Sequence, residues 1–497
     1  MLFLLRKSRE TFELLDLSNS DVSIGDYLII RDDGNSYRKI LLQVVDISYV
    51  SISSEFEEFI RISISKEIEI KDYPSDHVMQ LTQEILDAKV LLCKARGSIE
   101  SDVFNQGIYW APSRMRSSVL PLPASELIDA LRPLKNIPLN IGYLKDGAPL
   151  HIDLTDLDGS LTVIIGRKGT GKSHLAKILL VNLVEHGARC IVFDLNNEYI
   201  LLKENAKFIT LEPGRNLSFN IRDIGKQTFL ALMEEIMELP PTSALELSRI
   251  WEKLVSTSNL TVKHLKQEVL NSRINEYVKD ALLRRIEMLV SSGIISDIST
   301  FDLENLMKGK EGKAVIVLLR GLPSIYRRVV VSLIIKKLIS LLENDKIDPI
   351  FLFAEEAHLY QQISFWEDLV TRMRHIGISP IFVTNEPDAF SDFIYRQADN
   401  LFIFNFLNDR DLNTLSKISK LDADSIISMV RSLPSGRVLT VGNLTDGIPI
   451  IFDVSKERYF KYGATKKAFK QFYQGQEKNL TLLKPARVVS SSQILKS

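Results

Sequence analysis

Cysteine is scarce in this chain: two residues in 497, Cys93 and Cys190, both inside apolar runs. That excludes a disulfide framework or a thiolate metal cage, and it leaves two small core residues in a reducing compartment. Net charge is almost absent as well, since 62 basic and 63 acidic side chains leave −1. The overall balance therefore announces no polyanionic partner, and any basic surface must be local. No apolar run approaches the ~20 residues that span a bilayer. The opening Met1-Leu2-Phe3-Leu4-Leu5 is far too short, and no small-residue cleavage site follows it. The expectation is a cytosolic (cytoplasmic) protein with no membrane partner. The remainder, 45% hydrophobic and 25% charged, is ordinary for a globular chain of about two to four structural units.

What is present centres on Gly166-Arg167-Lys168-Gly169-Thr170-Gly171-Lys172-Ser173, which fits G-x-x-x-x-G-K-[ST] without mismatch. A short apolar run, Leu161–Ile165, precedes it and reads as a buried strand. Behind it, Leu175–Val184 repeats apolar residues at helical spacing. Strand, glycine loop and helix are the context this pattern requires. Glycines let the backbone wrap a phosphate closely, so that N–H groups and a helix N-terminus face the negative charge. Lys172 then reaches the β- and γ-phosphates, and the Ser173 hydroxyl is placed to hold Mg²⁺. The expected nucleotide-contacting set is Gly166 through Ser173 together with the following His174, with ATP and Mg²⁺ as cofactors.

Residues 1 to about 130 carry short runs separated by turn residues: Tyr27–Ile30, Ile40–Val45, Phe59–Ile64 and Val90–Cys93. Asp32-Asp33-Gly34-Asn35 between the first two is a hairpin signal. A small β-barrel or sandwich is expected, with a helix near Asp76–Ala88. Prolines at 112, 121, 123, 133 and 138 mark a linker. From there strands alternate with helices, which implies a parallel sheet with crossover helices. Residues 131–222 form the first part of this α/β core. A largely helical insertion over 223–311 interrupts it, with Pro240-Pro241 forcing a break, and 312–455 completes it.

Arg189–Asp194 reads as the second strand, Ala314–Leu319 as a third and Ile350–Phe353 as a fourth. The fourth runs into Ala354-Glu355-Glu356-Ala357-His358. Two glutamates can simply open a solvated helix, but an apolar strand ending in paired acids is also the second half of a nucleotide-hydrolysing site. Such a strand is expected beside the phosphate-loop strand, with Glu355 in the metal's water shell and Glu356 polarising the attacking water. The next strand, Pro380–Thr384, ends in Asn385, which either senses the γ-phosphate or caps a helix starting near Pro387. Arg372 and Arg374, at the end of a helix, read either as solvated charges or as groups that enter a neighbouring subunit's site.

Taken together, these motifs resemble the HerA family of hexameric DNA-translocating ATPases, within the HerA/FtsK group. The resemblance rests on Ile24-Gly-Asp-Tyr-Leu-Ile-Ile30 and Gln43-Val-Val-Asp46 in the barrel, Asp194-Leu-Asn-Asn-Glu198-Tyr199 after the second strand, and Glu355-Glu356-Ala357-His358. Arg374 before Ile376-Gly377, and the late strand around Pro434–Gly442, match further elements. The resemblance implies an α/β P-loop ATPase domain of RecA/FtsK type with an N-terminal small β-barrel, a helical insertion and a C-terminal extension. It also implies ATP hydrolysis between subunits of a homo-hexamer, double-stranded DNA in the channel, and a NurA-like nuclease partner in DNA end processing or repair. Glu356, Arg374 and Asn385 take catalytic roles in that reading, with Ser173 and Glu355 at the metal.

The chain departs from the family pattern at three places. Asn385-Glu386-Pro387 stands where Q-R-P is usual, Gly159-Ser160 where a basic step is common, and Arg372 where a glutamate is common. These changes motivate an alternative, a weakly hydrolysing, nucleotide-gated scaffold that regulates a partner protein. A protein-remodelling or secretion ATPase and a monomeric P-loop protein are further alternatives. The tail, 456–497, carries ten basic residues against Glu457 and Glu477, with aromatics interleaved. It reads as a strap onto a neighbouring subunit or as a nucleic-acid grip.

Overall fold

Runs such as Cys190–Phe193 and Phe351–Phe353 have no polar alternation, so a strand built from them must be covered on both faces. The structure is a computed structural model that describes residues 2–456 apart from 17–19, 33–34, 50–88, 102, 115, 133–135, 310 and 419–421. It covers them in that way. Cys190 and Val192 join Leu175, Leu179 and Ile316 in one buried cluster. Ile191 and Phe193 join Val330, Leu338 and Trp366 in another, on the opposite face.

The strands, in chain order, are β1 (Leu2–Ser8), β2 (Thr11–Asp16), β3 (Tyr27–Asp32), β4 (Asn35–Tyr49), β5 (Lys89–Glu100), β6 (Val103–Asn105) and β7 (Ser117–Leu122). They continue with β8 (Pro138–Tyr143), β9 (Pro149–Asp153), β10 (Thr162–Ile165), β11 (Arg189–Asp194), β12 (Phe208–Leu211), β13 (Phe219–Asn220) and β14 (Ile295–Ser296). The last are β15 (Lys313–Leu318), β16 (Ile350–Glu355), β17 (Ile378–Thr384), β18 (Asn400–Ile403), β19 (Arg437–Gly442) and β20 (Ile450–Val454). The large sheet has the order β12-β15-β11-β16-β17-β10-β18-β19-β20-β8-β9. From β12 to β18 every pair is parallel. Beyond β18 the ladder is antiparallel.

This order corrects one expectation. The acid-bearing strand β16 does not lie beside the phosphate-loop strand β10; β17 lies between them and pairs in parallel with both. The crossover helix Ile363–Ile376 brings the chain back next to β10, so the acids stand two strand spacings away, about 9–10 Å. Asn385, at the end of β17, fills the gap.

Between β12 and β15 the chain is mostly helical: Lys226–Ala231 running into a π turn at Leu232–Ile236, then Pro241–Ser256, Val262–Asn271, Glu276–Ser291 and Leu303–Met307. Pro241 opens its helix at the first position, where its missing N–H costs nothing.

The N-terminal strands form a separate antiparallel sheet, β1-β2-β5-β4-β3-β7, with β6 on β5. The expected strands at 27–30, 40–45 and 90–93 are there, and β3 and β4 run antiparallel on either side of the predicted turn. β1 and β2 were not anticipated. The proline-marked linker also needs correction, because Ser117–Leu122 is an edge strand that pairs with β3 and carries Pro121 opposite Leu28. An edge strand tolerates a residue that lacks N–H. Ala124–Leu131 then forms a helix. The strand expected at Phe59–Ile64, the helix at Asp76–Ala88 and the tail 457–497 lie outside the described residues. The two sheets meet at Pro449, whose carbonyl accepts from the Tyr27 hydroxyl and from Gln43 Nε2.

Candidate active site

The phosphate loop hangs between the C-terminal ends of β10, β17 and β18. Gly166 N–H donates to Thr384 O and Arg167 N–H to Asn405 O. A Cβ on Gly166 would come within 2.4 Å of Phe404 Cβ, and Gly171 turns into the helix at φ +120°, a backbone angle that favours glycine. Thr170 closes the loop on itself through its hydroxyl, 2.7 Å from Arg167 O. The helix Lys172–Glu185 follows immediately; the His174 and Leu175 N–H groups donate to Gly171 O, which leaves those of Lys172 and Ser173 without an intrahelical acceptor at the loop. Arg167, Lys168 and Gly169 are exposed and Ser173 is half-buried. This donor set, a cradle of glycines before a helix N-terminus, fits an oligophosphate.

Lys172 is buried, with Nζ 3.0 Å from Arg167 O and 2.5 Å from Asn385 Oδ1. Burial pulls its ammonium down to about 8, against the opposing effect of Glu356, Glu355 and Glu198. The Asn385 amide donates onward to Glu356 Oε1, so one side chain links the lysine to the second acid. It is not a helix cap, since Glu386 holds the cap position of the short Pro387–Ala389 turn and makes no side-chain cap. Glu356 takes a left-handed backbone, φ 50° and ψ 45°, strain of the kind that persists at functional sites. Its carboxylate is fixed by Asn385 N–H at 3.1 Å and by the Thr384 hydroxyl at 3.1 Å. A carboxylate so held by its neighbours is oriented to accept a proton from water.

Glu355 sits differently. It is buried, and the Tyr199 hydroxyl donates to its Oε1 at 2.7 Å. Burial, and then Glu198 and Asp194, push its carboxyl well above the usual carboxylate range. Asp194 is committed to the backbone, accepting from the N–H groups of Asn196, Glu198 and Tyr199 at 2.9–3.2 Å. His174, expected at the phosphates, turns its ring away: Nε2 lies 2.6 Å from Ser455 O, beyond β20. Its imidazole is spent on the fold.

Arg374 stands at the opposite end of the sheet. It closes the helix before β17, and Nη2 pairs with Asp399 at 2.8 and 3.0 Å. Asp399 in turn accepts from Leu161 N–H at 2.8 Å, just ahead of β10. The length of β10, about 13 Å, thus separates Arg374 from the phosphate loop of its own chain. The guanidinium remains largely exposed, at 59%. Arg372 pairs with Asp368 one turn back.

Residues 139–338 match the family described as "Helicase HerA, central domain". Over 330 residues the chain is 27% identical to the DNA double-strand break repair helicase HerA of Sulfolobus acidocaldarius, covering 59% of this chain and 64% of that protein. A probable helicase of Methanocaldococcus jannaschii is 21% identical over 473 residues, 89% of this chain and 88% of that one. The middle of the chain is thus similar to the HerA central domain. The aligned stretch spans less than two thirds of the Sulfolobus HerA. Among solved structures, VirB4 of Thermoanaerobacter pseudethanolicus superposes with a TM-score of 0.52 at 14% identity, over 66% of this chain and 99% of that one. The plasmid coupling protein TrwB bound to a non-hydrolysable ATP analogue gives 0.51 at 14%, over 68% and 93%. Likeness at that identity establishes a shared P-loop ATPase fold.

Several residues of this site carried little or no signal in the sequence. The Thr384 hydroxyl on Glu356 had a local signal, since it directly precedes Asn385. His358 lies between the second acid and the unusual Glu386, 3.9 Å from Glu356 Oε2 and 3.8 Å from Glu386 Oε2. Asp399 and Asn405 carried no motif at all.

Proposed function

We propose that the chain is an ATPase of HerA type that assembles as a homo-hexameric ring, moves along double-stranded DNA and works with a NurA-like nuclease in end processing. Its N-terminal sheet (1–130) acts as the barrel domain, the flanking segments 131–222 and 312–455 as the ATPase core around the insertion 223–311, and 456–497 as a strap. The observation that carries the hydrolytic reading is the continuous contact path Lys172–Asn385–Glu356 beside the phosphate loop. ATP would supply the scissile phosphoanhydride; Ser173 and Glu355 would hold Mg²⁺, which would offset the phosphate charge. The loop N–H groups and Lys172 bind the phosphates, Asn385 keeps lysine and base in register, and Glu356 takes the proton of the attacking water. DNA as the track is supported by the similarity to the HerA central domain and to the Sulfolobus DNA double-strand break repair helicase.

The test is ATP turnover of the purified chain with and without linear duplex DNA, alongside a native mass measurement. Turnover that rises with duplex and vanishes in Lys172→Ala is the expected result. A folded chain whose turnover ignores DNA sinks the translocase reading. A second reading, a slow nucleotide-gated scaffold, is favoured by Glu386 beside His358, an acid where the resembling family pattern has arginine; it predicts tight ATP binding with little turnover under any condition.

Lys172 also makes the site pH-sensitive. Its folded value of about 8 lies below the ordinary 10.5, so between these values the unfolded chain holds a proton that the nucleotide-free folded chain has lost. This group's contribution to stability therefore rises with pH through that window. Phosphate binding favours the ammonium, so ATP affinity is expected to fall above pH 8, by at most about tenfold per unit. Calorimetry at pH 9 in buffers of different ionisation enthalpy should register proton uptake on ATP binding, lost in Lys172→Met. Uptake of equal size in that variant would assign the proton elsewhere.

A further inference from the structure

Asn405 lies just past β18 and is buried, yet its contacts reach in two directions. Its backbone carbonyl accepts from Arg167 N–H of the phosphate loop at 3.2 Å. Its side-chain amide donates to three carbonyl oxygens, Val430 at 3.3 Å, Arg431 at 3.1 Å and Leu433 at 2.7 Å. These belong to the last turn and the exit of the helix Ala423–Ser432, where carbonyls run short of backbone donors; of the three, Val430 O also accepts from Leu433 N–H at 3.3 Å. The segment leaving this helix returns to the same loop. Gly436 N–H donates to Thr170 O at 2.9 Å, and the Ser435 hydroxyl to Gly169 O at 3.3 Å. The C-terminal end of one helix is thus bonded to the phosphate loop from both sides.

The other end of the helix, about 15 Å away, is bonded to the N-terminal sheet. Asp422 caps it, accepting from Ser425 N–H at 3.0 Å and from its hydroxyl at 2.6 Å. Arg96 of β5 pairs with Asp422 at 3.5 Å and donates to the Ser425 hydroxyl at 3.2 Å. Lys94 adds a second pair to Asp422 at 3.6 Å. Arg96 is itself largely buried and fixed by Gln43 Oε1 at 2.9 Å. With Ile426, Met429 and Val430 fully buried, this ten-residue helix, bonded at both ends, gives a shift at its capped end a contiguous route to its exit.

We propose that Asn405 is a positioning residue for the phosphate loop, and that through the helix Ala423–Ser432 it ties nucleotide affinity to the seating of the N-terminal sheet on Asp422 and Ser425. The inference rests on the loop being a nucleotide site, but the mechanical link itself exists without nucleotide. It assigns the N-terminal sheet a role in setting the affinity of a site that, among the described residues, it does not touch.

The experiment compares Asn405→Ala, Arg96→Ala and the double variant with the wild-type full chain, by two measurements. Amide hydrogen exchange without nucleotide follows segments 166–171 and 433–437. Both single variants should speed exchange there, although Arg96 lies on the other sheet. The dissociation constant of a fluorescent ATP analogue should rise about tenfold in Asn405→Ala and about threefold in Arg96→Ala. The double variant should be no weaker than Asn405→Ala alone, because both act through one element. A turnover number at saturating ATP within about twofold of wild type would mark positioning rather than chemistry. Loop exchange and affinity unchanged in Arg96→Ala, or fold-changes that multiply in the double variant, overturn the link. If Asn405→Ala does not fold, Asn405→Ser, which keeps one donor, takes its place with the same criteria. A wild-type chain that binds no analogue refutes the nucleotide reading instead, and the exchange measurement then decides the link.

Discussion

Arg374→Ala is expected to lose about 10³-fold or more in turnover while ATP affinity stays within about twofold, the signature of a group that acts on transition-state charge. The proposed ring gives that group a place to work across a subunit interface. Within one subunit Arg374 and the phosphate loop occupy opposite ends of the parallel strands, and the guanidinium is largely exposed. Arg167, within the loop, is exposed as well. A ring that stacks the β17-leading edge of one subunit against the phosphate loop of the next would bring Arg374 to a neighbour's nucleotide, at the cost of its pairing with Asp399. Arg374→Lys retains charge but not the planar fork and should recover only a fraction. Mixing gives the sharper result. Arg374→Ala and Lys172→Ala subunits, each inactive alone, should regain activity together in rings whose mixed composition is verified by native mass. Verified mixed rings that stay dead at every ratio place the arginine in its own subunit or reveal strict coupling around the ring. Doping with wild-type subunits separates these, because strict coupling makes activity fall much faster than the wild-type fraction.

Glu356→Gln should leave ATP bound and cut hydrolysis by about 10²–10⁴. The substitution suits the site. The amide oxygen can face the two Asn385 donors while its NH₂ faces the Thr384 hydroxyl, which is able to accept as well as donate. The fold is therefore spared, and retained nucleotide with slow phosphate release is the measurable outcome. Glu355→Gln is the informative partner. The bond from the Tyr199 hydroxyl to Glu355 Oε1 can be accepted by an amide oxygen as well, and Glu355 stands at the proposed metal rather than at the attacking water, so a milder loss is expected. Nucleotide trapping by Glu355→Gln with an active Glu356→Gln would reverse the two roles.

Much of the site was legible because it is local in sequence. The phosphate loop needs only its own glycines, the strand before it and the helix after it, and β10 and Lys172–Glu185 form where the apolar spacing puts them. The acids at the end of β16 were legible for the same reason, and unbroken apolar runs such as Cys190–Phe193 already implied strands buried on both faces. Strand order was not legible. Nothing in the β16 or β17 sequences says which of them lies against β10, since each is buried along its whole length, and the crossover decides it. That decision turns Asn385 from a possible helix cap into the bridge between Lys172 and Glu356. Edge position likewise decided that Pro121 could stand in a strand.

The remaining contacts join residues far apart in the chain: Tyr199 with Glu355, Arg374 with Asp399, His174 with Ser455, Asn405 with the exit of a helix 25 residues later. No local propensity encodes such pairs, because each depends on two elements being packed at a set separation before either side chain has a partner. The sequence by itself determined that this protein has a phosphate loop, paired acids and a parallel sheet to carry them. Only the tertiary structure decided which acid faces the lysine, which arginine faces away, and how the N-terminal sheet is bonded to the loop, because those are properties of strand order and helix placement rather than of any segment's own chemistry.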